Sequence, residues 1–519
     1  MASLRSYTPP PCARFLASSV LLLATATVLV AQEAQPRRPN IVLIYADDHA
    51  QHALSCYGSR LTTTPHIDRL ARDGMRFSQS FVGNSICGPA RATILTGLHS
   101  HAHGQGSNGP GFHNDLPTYA KLLQSSGYAT AVVGKWHVSS PPTGFDHHAI
   151  KTGNYYNSTF RTEDGTEPST GHVTDVITER SIAWMKEQSE RDKPFAIWVS
   201  HSASHRTWMP ALRHLAMFDG VTLPEPETLF DDYATRTDAI RTAQMRVSRD
   251  LFPAYDLKLS VTGKSILDNA ATRLLDTMTD EQRRAWDAFF APRNETYPGA
   301  DATDAERTRW NWQRYIKNYL RTAAGLDDSV GAIRSFLETT GLTENTIVIY
   351  TSDQGFFLGD HGLYDKRFIY EESLRTPCIV SWPGVTKAGS TCDALVQNID
   401  IAPTILSMAR VPHDASMHGK DLSPLLRSET PADWRDAIYY QYRGTEPQAR
   451  TSHLVAPHEG VRTDRFKLVH FEDSEAWELY DLETDPHELH NEADNEAFAE
   501  IREILERKLA QLRASYGVQ

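Results

Sequence analysis

Cys87, Pro89 and Arg91 sit in one short stretch, Ile86-Cys87-Gly88-Pro89-Ala90-Arg91, followed by Leu95-Thr96-Gly97. Pro89 suits the first turn of a helix, where its missing N–H costs nothing, and Gly97 suits a helix stop. The stretch therefore reads as a loop turning into a helix, with Cys87 at the helix N-terminus. Exposed amides and the helix dipole favour negative charge there, such as a bound anion or a developing oxyanion. On its own, a lone cysteine in this setting is commonly a buried structural residue; a thiolate nucleophile is a second option.

Other polar groups recur where apolar runs end. Asp47-Asp48 follows residues 40–46, Lys135 and His137 follow 129–133, His205 follows 195–201, and Asp353-Gln354 follows 346–351. Each run is continuous and rich in β-branched residues, as expected of strands buried on both faces. Open α/β sheets bind ligands beyond such strand ends. Adjacent carboxylates repel unless a cation lies between them, and hard oxygen donors suit Ca²⁺ or Mg²⁺. Lys135 and His137, two apart in an extended segment, face the same side and can converge on an anion. His361, Lys366 and Arg367 follow in a polar loop punctuated by glycine.

The elements that must position these groups are legible. Residues 64–71 form a helix with Ile67, Leu70 and Ala71 on one face, and residues 117–123 form another that stops at Gly127. From residue 310 to 340 a long apolar period runs through Ile316, Tyr319, Leu326, Val330, Ile333 and Leu337. Residues 211–310 read as a helical insertion, with helices over 241–249 and 281–290. There Asp231, Asp232, Tyr233 and Arg236 either face substrate or lie on the surface. Residues 378–380 and 394–396 read as further strands. Past residue 428 a hairpin over 459–471, a strand over 477–481 and a helix over 498–512 make a small α+β unit. The expected architecture is α/β. A large mixed, mostly parallel sheet is sandwiched by helices in a domain over 36–428, with an antiparallel C-terminal subdomain over 429–519.

At 519 residues and 40% apolar content the chain can bury a large core. A net charge of −13 argues against nucleic-acid binding and offers no long-range attraction to a polyanion. An anionic substrate must be met by local cations. Arg5, Arg14, the uncharged apolar run over 15–30 and Ala31 read as a cleaved signal peptide over residues 1–31. That run is short for a membrane span. A periplasmic or secreted protein without stable membrane insertion is expected. Four cysteines remain (Cys56, Cys87, Cys378, Cys392), of which Cys378 and Cys392 could pair; no spacing suggests zinc.

Cys87-x-Pro89-x-Arg91 with Leu95-Thr96-Gly97 resembles the signature of the type I sulfatases. The resemblance extends from Pro39-Asn40-Ile41 to Glu478-Leu479-Tyr480-Asp481. Ala90 stands where the family usually has Ser, and Gln354 where many members have Asn. The resemblance implies an alkaline phosphatase-like fold. It also implies one Ca²⁺ on Asp47, Asp48, Asp353, Gln354 and residue 87, and a formylglycine made from Cys87 by a maturation enzyme, an obligatory partner. Its hydrate would attack the sulfur of a sulfate ester. Lys135 and Lys366 would neutralise charge on the sulfate, Arg91 would fix the hydrate and the metal-side carboxylates, His205 would protonate the leaving alcohol, and His137 would act as base when sulfate is released. Asn84-Ser85-Ile86-Cys87, Gly153-Asn154-Tyr155-Tyr156-Asn157 and His205-Arg206-Thr207-Trp208 resemble bacterial carbohydrate sulfatases of the N-acetylglucosamine-6-sulfatase, or mucin-desulfating, kind. The implied substrate is a sulfated glycan such as a glycosaminoglycan. Trp208, Tyr155 and Tyr156 would stack on sugar rings, and His361, Arg367, Asp231 and Asp232 would contact the sugar. Two alternatives are a phosphomonoester or phosphonate-ester hydrolase on the same metal edge, and an inactive carbohydrate-binding protein if Cys87 stays a thiol.

Overall fold

The computed structural model describes residues 1–3, 5–8, 37–191, 193–260, 265–444 and 455–518. The apolar run of the expected leader lies outside them. Among the described residues, no helix is long and apolar enough to cross a membrane.

The core is a ten-stranded sheet. In chain order its strands are β1 (Asn40–Ala46), β2 (Met75–Phe77), β3 (Ala129–Gly134), β4 (His147–Thr152), β5 (Thr159–Thr162), β6 (Gly165–Pro168), β7 (Phe195–Ser200), β8 (Thr346–Ser352), β9 (Cys378–Ser381) and β10 (Ser390–Cys392). They lie in the order β10-β2-β9-β8-β1-β7-β3-β4-β5-β6. The central five, from β8 to β4, run parallel; β9 pairs antiparallel with β8 and β2, and β5 and β6 add an antiparallel ribbon at the far edge. Central strands covered on both faces need apolar residues at every position, which explains their unbroken apolar runs.

Successive residues of β1 feed opposite layers. Val42, Ile44 and Ala46 join a core packed by α1 (Pro65–Asp73), α4 (Val173–Ser189) and α6 (Asp304–Thr339); α5 (Asp280–Asn294) joins the same layer through Trp286 and Phe290. Ile41, Leu43 and Tyr45 join the layer packed by α2 (Cys87–Thr96), α3 (Tyr119–Ser125) and α7 (Ile401–Met408). The long helix α6 begins with a capping box between Thr303 and Glu306, and its Leu326, Val330, Ile333 and Leu337 are buried on the sheet.

The C-terminal sheet has four antiparallel strands, β11 (Ala437–Tyr442), β12 (His458–Thr463), β13 (Phe466–Phe471) and β14 (Ala476–Asp481), in sequence order. Ala437, Tyr439, Val461, Leu468 and Leu479 face α8 (Ala499–Tyr516) through Leu505 and Leu509. The alternate residues Ile438, Tyr440, Val469 and Tyr480 face the site loop at Phe368, Ile369 and Tyr370.

Three local expectations differ from the structure. Residues 241–249 are not a helix: Asp238–Arg241 makes one turn, and the chain then pairs with the 362–364 loop, Val247 N–H donating to Gly362 O at 2.9 Å and Tyr364 N–H to Met245 O at 2.9 Å. Ala243, Met245 and Val247 are buried and the residues between them are not, an extended period that three apolar residues are too few to announce. The strand expected over 394–396 is Val396–Gln397. Cys378 and Cys392 are both free thiols, with β2 between their strands.

Candidate active site

The strand ends and the α2 N-terminus meet at one edge of the sheet. Ile86 is extended and Cys87 opens α2; Gly97 closes it in the left-handed conformation at φ 68°. Gly134, at the end of β3, has φ 115°, and a Cβ there would lie 1.9 Å from the Ser200 carbonyl oxygen. Only glycine allows β3 to turn so closely beside β7 and deliver Lys135. His137 also has positive φ, at 59°, so the segment after β3 is kinked, not extended. Lys135 and His137 reach the same cleft by a turn rather than by strand alternation.

Three buried carboxylates face three buried or nearly buried cations. Asp47, Asp48 and Asp353 bring oxygen atoms within 4.8 Å of one another, and Asp47, Cys87 and His205 form an overlapping group. Lys135 Nζ lies 2.5 Å from Asp47. Lys366 Nζ lies 2.6 and 2.7 Å from the two Asp48 oxygens. The Arg91 guanidinium lies 3.1 Å from Asp353 and 3.6 Å from Asp47, and it donates to Ser200 Oγ at 2.7 Å and Lys135 O at 3.1 Å. Gln354 Nε2 donates to Asp48 Oδ1 and lies 3.5 Å from Cys87 Sγ. Backbone amides of Asp48 and Gln354 donate to Asp353 Oδ1 at 2.9 and 3.1 Å.

Two buried oxygens at this centre, Asp47 Oδ1 and Gln354 Oε1, have no hydrogen-bond partner. A buried acceptor without a donor is costly. Burial alone would raise Asp47, but Lys135, His205 and Arg91 hold it well below the usual carboxylate range. Burial and the charge of Asp47 push Asp353 well above that range. A hard cation between these oxygens would supply the missing partner for both orphaned atoms and relieve the repulsion on Asp353. The donor set fits Ca²⁺, with the longer Gln354 amide keeping a carbonyl donor.

Burial pushes the Cys87 thiol up, and Lys135 and Lys366 do not offset it. Cys87 is therefore not poised as a thiolate, and a simple cysteine nucleophile is disfavoured. Burial and then Lys135 bring His205 down to about 4. His137 is held well below its ordinary value by burial and the same lysine. Both rings are neutral at neutral pH in this state.

The walls come from elsewhere. Tyr155 Oη donates to the carbonyls of Ser202 and His205 and so fixes the His205 loop. Tyr440 of the C-terminal sheet donates its hydroxyl to Arg367 O at 2.5 Å and accepts from Ser85 N–H at 3.2 Å, holding the Lys366 loop and the Cys87 loop together. Tyr319 of α6 donates to Asp48 O at 2.7 Å. These three partners lie 47 to 355 residues from the groups they hold, and no short motif announces them.

Of the seven residues expected to contact sugar, Tyr155 lines the cleft and the other six are placed differently. The Trp208 indole is fully buried, 4.7 Å from the Tyr315 ring, so it cannot stack on a ligand. His361 is fully buried, 2.9 Å from Asp231, and Arg236 pairs with the same Asp231. Arg367 is buried against Asp365 at 2.9 Å, and Asp232 is exposed with its carboxylate on Ala234 N–H. Tyr156 is buried, its hydroxyl on Pro210 O. These groups hold the site loops through charge pairs and packing. The cleft in front of Cys87 is lined by Lys151, Asn154, Tyr155, Arg161, Arg206 and Tyr255, among others.

Comparison with known proteins agrees with this geometry. The sulfatase family pattern matches residues 39–411, and that of the N-sulphoglucosamine sulphohydrolase C-terminal region matches residues 359–515. The chain is 41% identical to an N-acetylglucosamine-6-O-sulfatase of Bacteroides thetaiotaomicron over 96% of this chain and 91% of that protein. It is 27% identical to the human N-acetylglucosamine-6-sulfatase over 79% of this chain and 68% of that protein. A solved structure in complex with its substrate D-glucosamine-2-N,6-O-disulfate superposes with a TM-score of 0.88 at 40% identity, covering 92% of this chain and 98% of the other. A phosphonate monoester hydrolase of Agrobacterium radiobacter shares the fold, with a TM-score of 0.68 at 22% identity over 92% and 96% of the chains. The chain belongs to the sulfatase family and is a sulfuric ester hydrolase.

Proposed function

We propose that this enzyme hydrolyses the 6-O-sulfate ester of an N-acetylglucosamine or glucosamine-sulfate unit of a sulfated glycan. The observation that carries the chemistry is the convergence of Asp47, Asp48, Asp353 and Gln354 beside Cys87, with two orphaned oxygens, between Lys135 and Lys366. The substrate class is supported by the 41%-identical relative and by the neighbour at TM-score 0.88. Asp47, Asp48, Asp353, Gln354 and residue 87 would hold Ca²⁺, with Cys87 oxidised to formylglycine by a maturation enzyme. When present, the ion supplies Lewis-acid charge at the sulfate, and the oxidised side chain supplies the attacking oxygen.

The chain's own residues do the rest. Lys135 and Lys366 neutralise the non-bridging sulfate oxygens as charge develops at sulfur. Arg91 fixes Asp47 and Asp353 and is itself fixed by Ser200. His205, at the cleft wall, delivers a proton to the departing sugar oxygen, whose alcohol has a high pKa. An anionic ester beside His205 opposes the charge of Lys135 and restores the imidazolium that this step needs. His137, kept neutral by burial, accepts a proton when sulfate is expelled. Residues 36–428 carry this centre, and residues 429–519 brace it through Tyr440. The leader over residues 1–31 would export the enzyme to the periplasm or medium, where large sulfated glycans are met.

The test is the mass of residue 87 in protein from its native host, together with turnover of 6-O-sulfated N-acetylglucosamine. Conversion of the thiol to an aldehyde lowers the mass by about 18 Da, and Cys87→Ala abolishes turnover. An unmodified thiol in folded, active enzyme, or faster turnover of an aryl phosphate than of an aryl sulfate, overturns the proposal.

A further inference from the structure

One ring nitrogen of His205 faces the active centre, and the other is engaged by its own loop. Nδ1 lies 2.5 Å from the Arg206 carbonyl oxygen. A carbonyl can only accept, so Nδ1 of the neutral ring carries the proton. Nε2 is the nitrogen left for the centre, 3.9 Å from Asp48 Oδ2. Which nitrogen can take up and deliver a proton at the departing oxygen therefore depends on where the 206–207 peptide stands.

That peptide is gripped by residues 252–258 of the insertion. The Arg206 side chain makes two bonds to the fully buried Asp256 carboxylate, Nε to Oδ1 at 2.7 Å and Nη2 to Oδ2 at 2.5 Å. Asp256 is held in turn by the Phe252 amide at 2.7 Å. Lys258 donates from Nζ to the carbonyls of Thr207 and Tyr255. Its own carbonyl accepts from Asn294 Nδ2, at the end of α5, at 2.8 Å. Both residues of the peptide are thus tied to an element that packs on the sheet, while Tyr155 holds the carbonyls of Ser202 and His205 just before them. The Lys258 grip works against stability. Lys258 holds φ 61°, a left-handed conformation that a lysine keeps only where its contacts fix it. Burial brings its ammonium down to about 7, and a desolvated charge is weak support for a fold.

We propose that Asp256 and Lys258 are positioning residues for His205: by holding the Arg206–Thr207 peptide they keep the Arg206 carbonyl on Nδ1 and so aim Nε2 at the departing sugar oxygen. The inference rests on the acid role proposed above for His205. It gives the insertion a part in catalysis, although neither residue lines the cleft.

The experiment compares Lys258→Met and Asp256→Asn with the wild type, as mature enzymes, on two substrates. One is 6-O-sulfated N-acetylglucosamine, whose alkoxide needs a proton; the other is an aryl sulfate, whose phenolate leaves unaided. A well-placed general acid contributes about 10²–10⁴-fold, so misaiming it lowers kcat on the sugar sulfate about tenfold or more, with KM unchanged and the aryl sulfate altered less than about twofold. In a His205→Ala background the same substitutions add no further loss on the sugar sulfate, because residues that act through one group are not additive. Equal losses on both substrates, or losses that multiply with that of His205→Ala, show a merely structural role and overturn the inference, as does unchanged turnover in both variants. Asp256→Asn keeps the shape of its side chain and serves alone if Lys258→Met does not fold. If the wild type hydrolyses neither substrate, or His205→Ala costs both equally, the reading above has failed, and nitrogen-15 NMR of histidine-labelled protein decides the grip by itself. The His205 ring signals, identified by their loss in His205→Ala, report Nδ1–H in the wild type and a mixture of tautomers in the variants; the same tautomer in all of them overturns it.

Discussion

Gln354→Leu separates the role of a metal ligand from that of a packing residue. In the metal-free protein the side chain contributes hydrogen bonds from Nε2 to Asp48 and Cys87, but its Oε1 is buried and unpartnered. The substitution removes about 1 kcal/mol of hydrogen bonding together with an unsatisfied acceptor whose burial costs about 1–3 kcal/mol, so these nearly cancel. Metal-free stability should therefore change by less than about 1 kcal/mol. With Ca²⁺ the two proteins diverge. At a free concentration one hundred times Kd, the wild type gains about 2.7 kcal/mol. If loss of one ligand raises Kd about a hundredfold, the variant gains only about 0.4 kcal/mol at the same concentration. The expected difference of about 2.3 kcal/mol is read as a change in urea midpoint, with chelator and with excess Ca²⁺, at unchanged slope. An equal shift in chelator and in Ca²⁺ would refute the assignment of Gln354 as a ligand and leave it a packing residue.

Three further outcomes are expected. Lys366→Met should lower kcat on a sulfated sugar by about 10²–10³-fold, the usual loss for one preorganised charge-stabilising donor; a change confined to KM would remove Lys366 from the reacting sulfate. His205→Ala should impair turnover of a sugar sulfate far more than that of an aryl sulfate, because a phenolate leaves without a proton; equal losses would exclude the acid role. Burial alone would lower His361, but Asp231 and Glu372 outweigh it and raise the ring to about 9. The folded value lies above the unfolded 6.5. This stabilisation, about 3 kcal/mol, is therefore complete below pH 6.5 and lost as pH rises through 9. Urea unfolding at pH 6.5, 8 and 10 should show that decline in the wild type and a smaller one in His361→Gln; parallel curves would contradict it.

Local chemistry made several features of this protein visible in the sequence. Unbroken apolar runs marked β1, β3, β7 and β8, because strands covered on both faces cannot alternate. Proline and glycine marked the ends of α2, and polar residues just beyond the strands marked the active edge. What was hidden depends on distance through the chain. Trp208 and His361 lie in sequence neighbourhoods that look like site loops, yet packing by Tyr315 and pairing with Asp231 bury both. The segment 241–249 carries helix-compatible residues, but hydrogen bonds from the 362–364 loop hold it extended. Lys151 and Arg161 follow no motif; they become cleft residues because an antiparallel ribbon extends the sheet edge. The residue types available to the chemistry are thus written in the chain, whereas which of them face the cleft was decided by tertiary burial, where each buried polar group must find a partner or be left for a ligand.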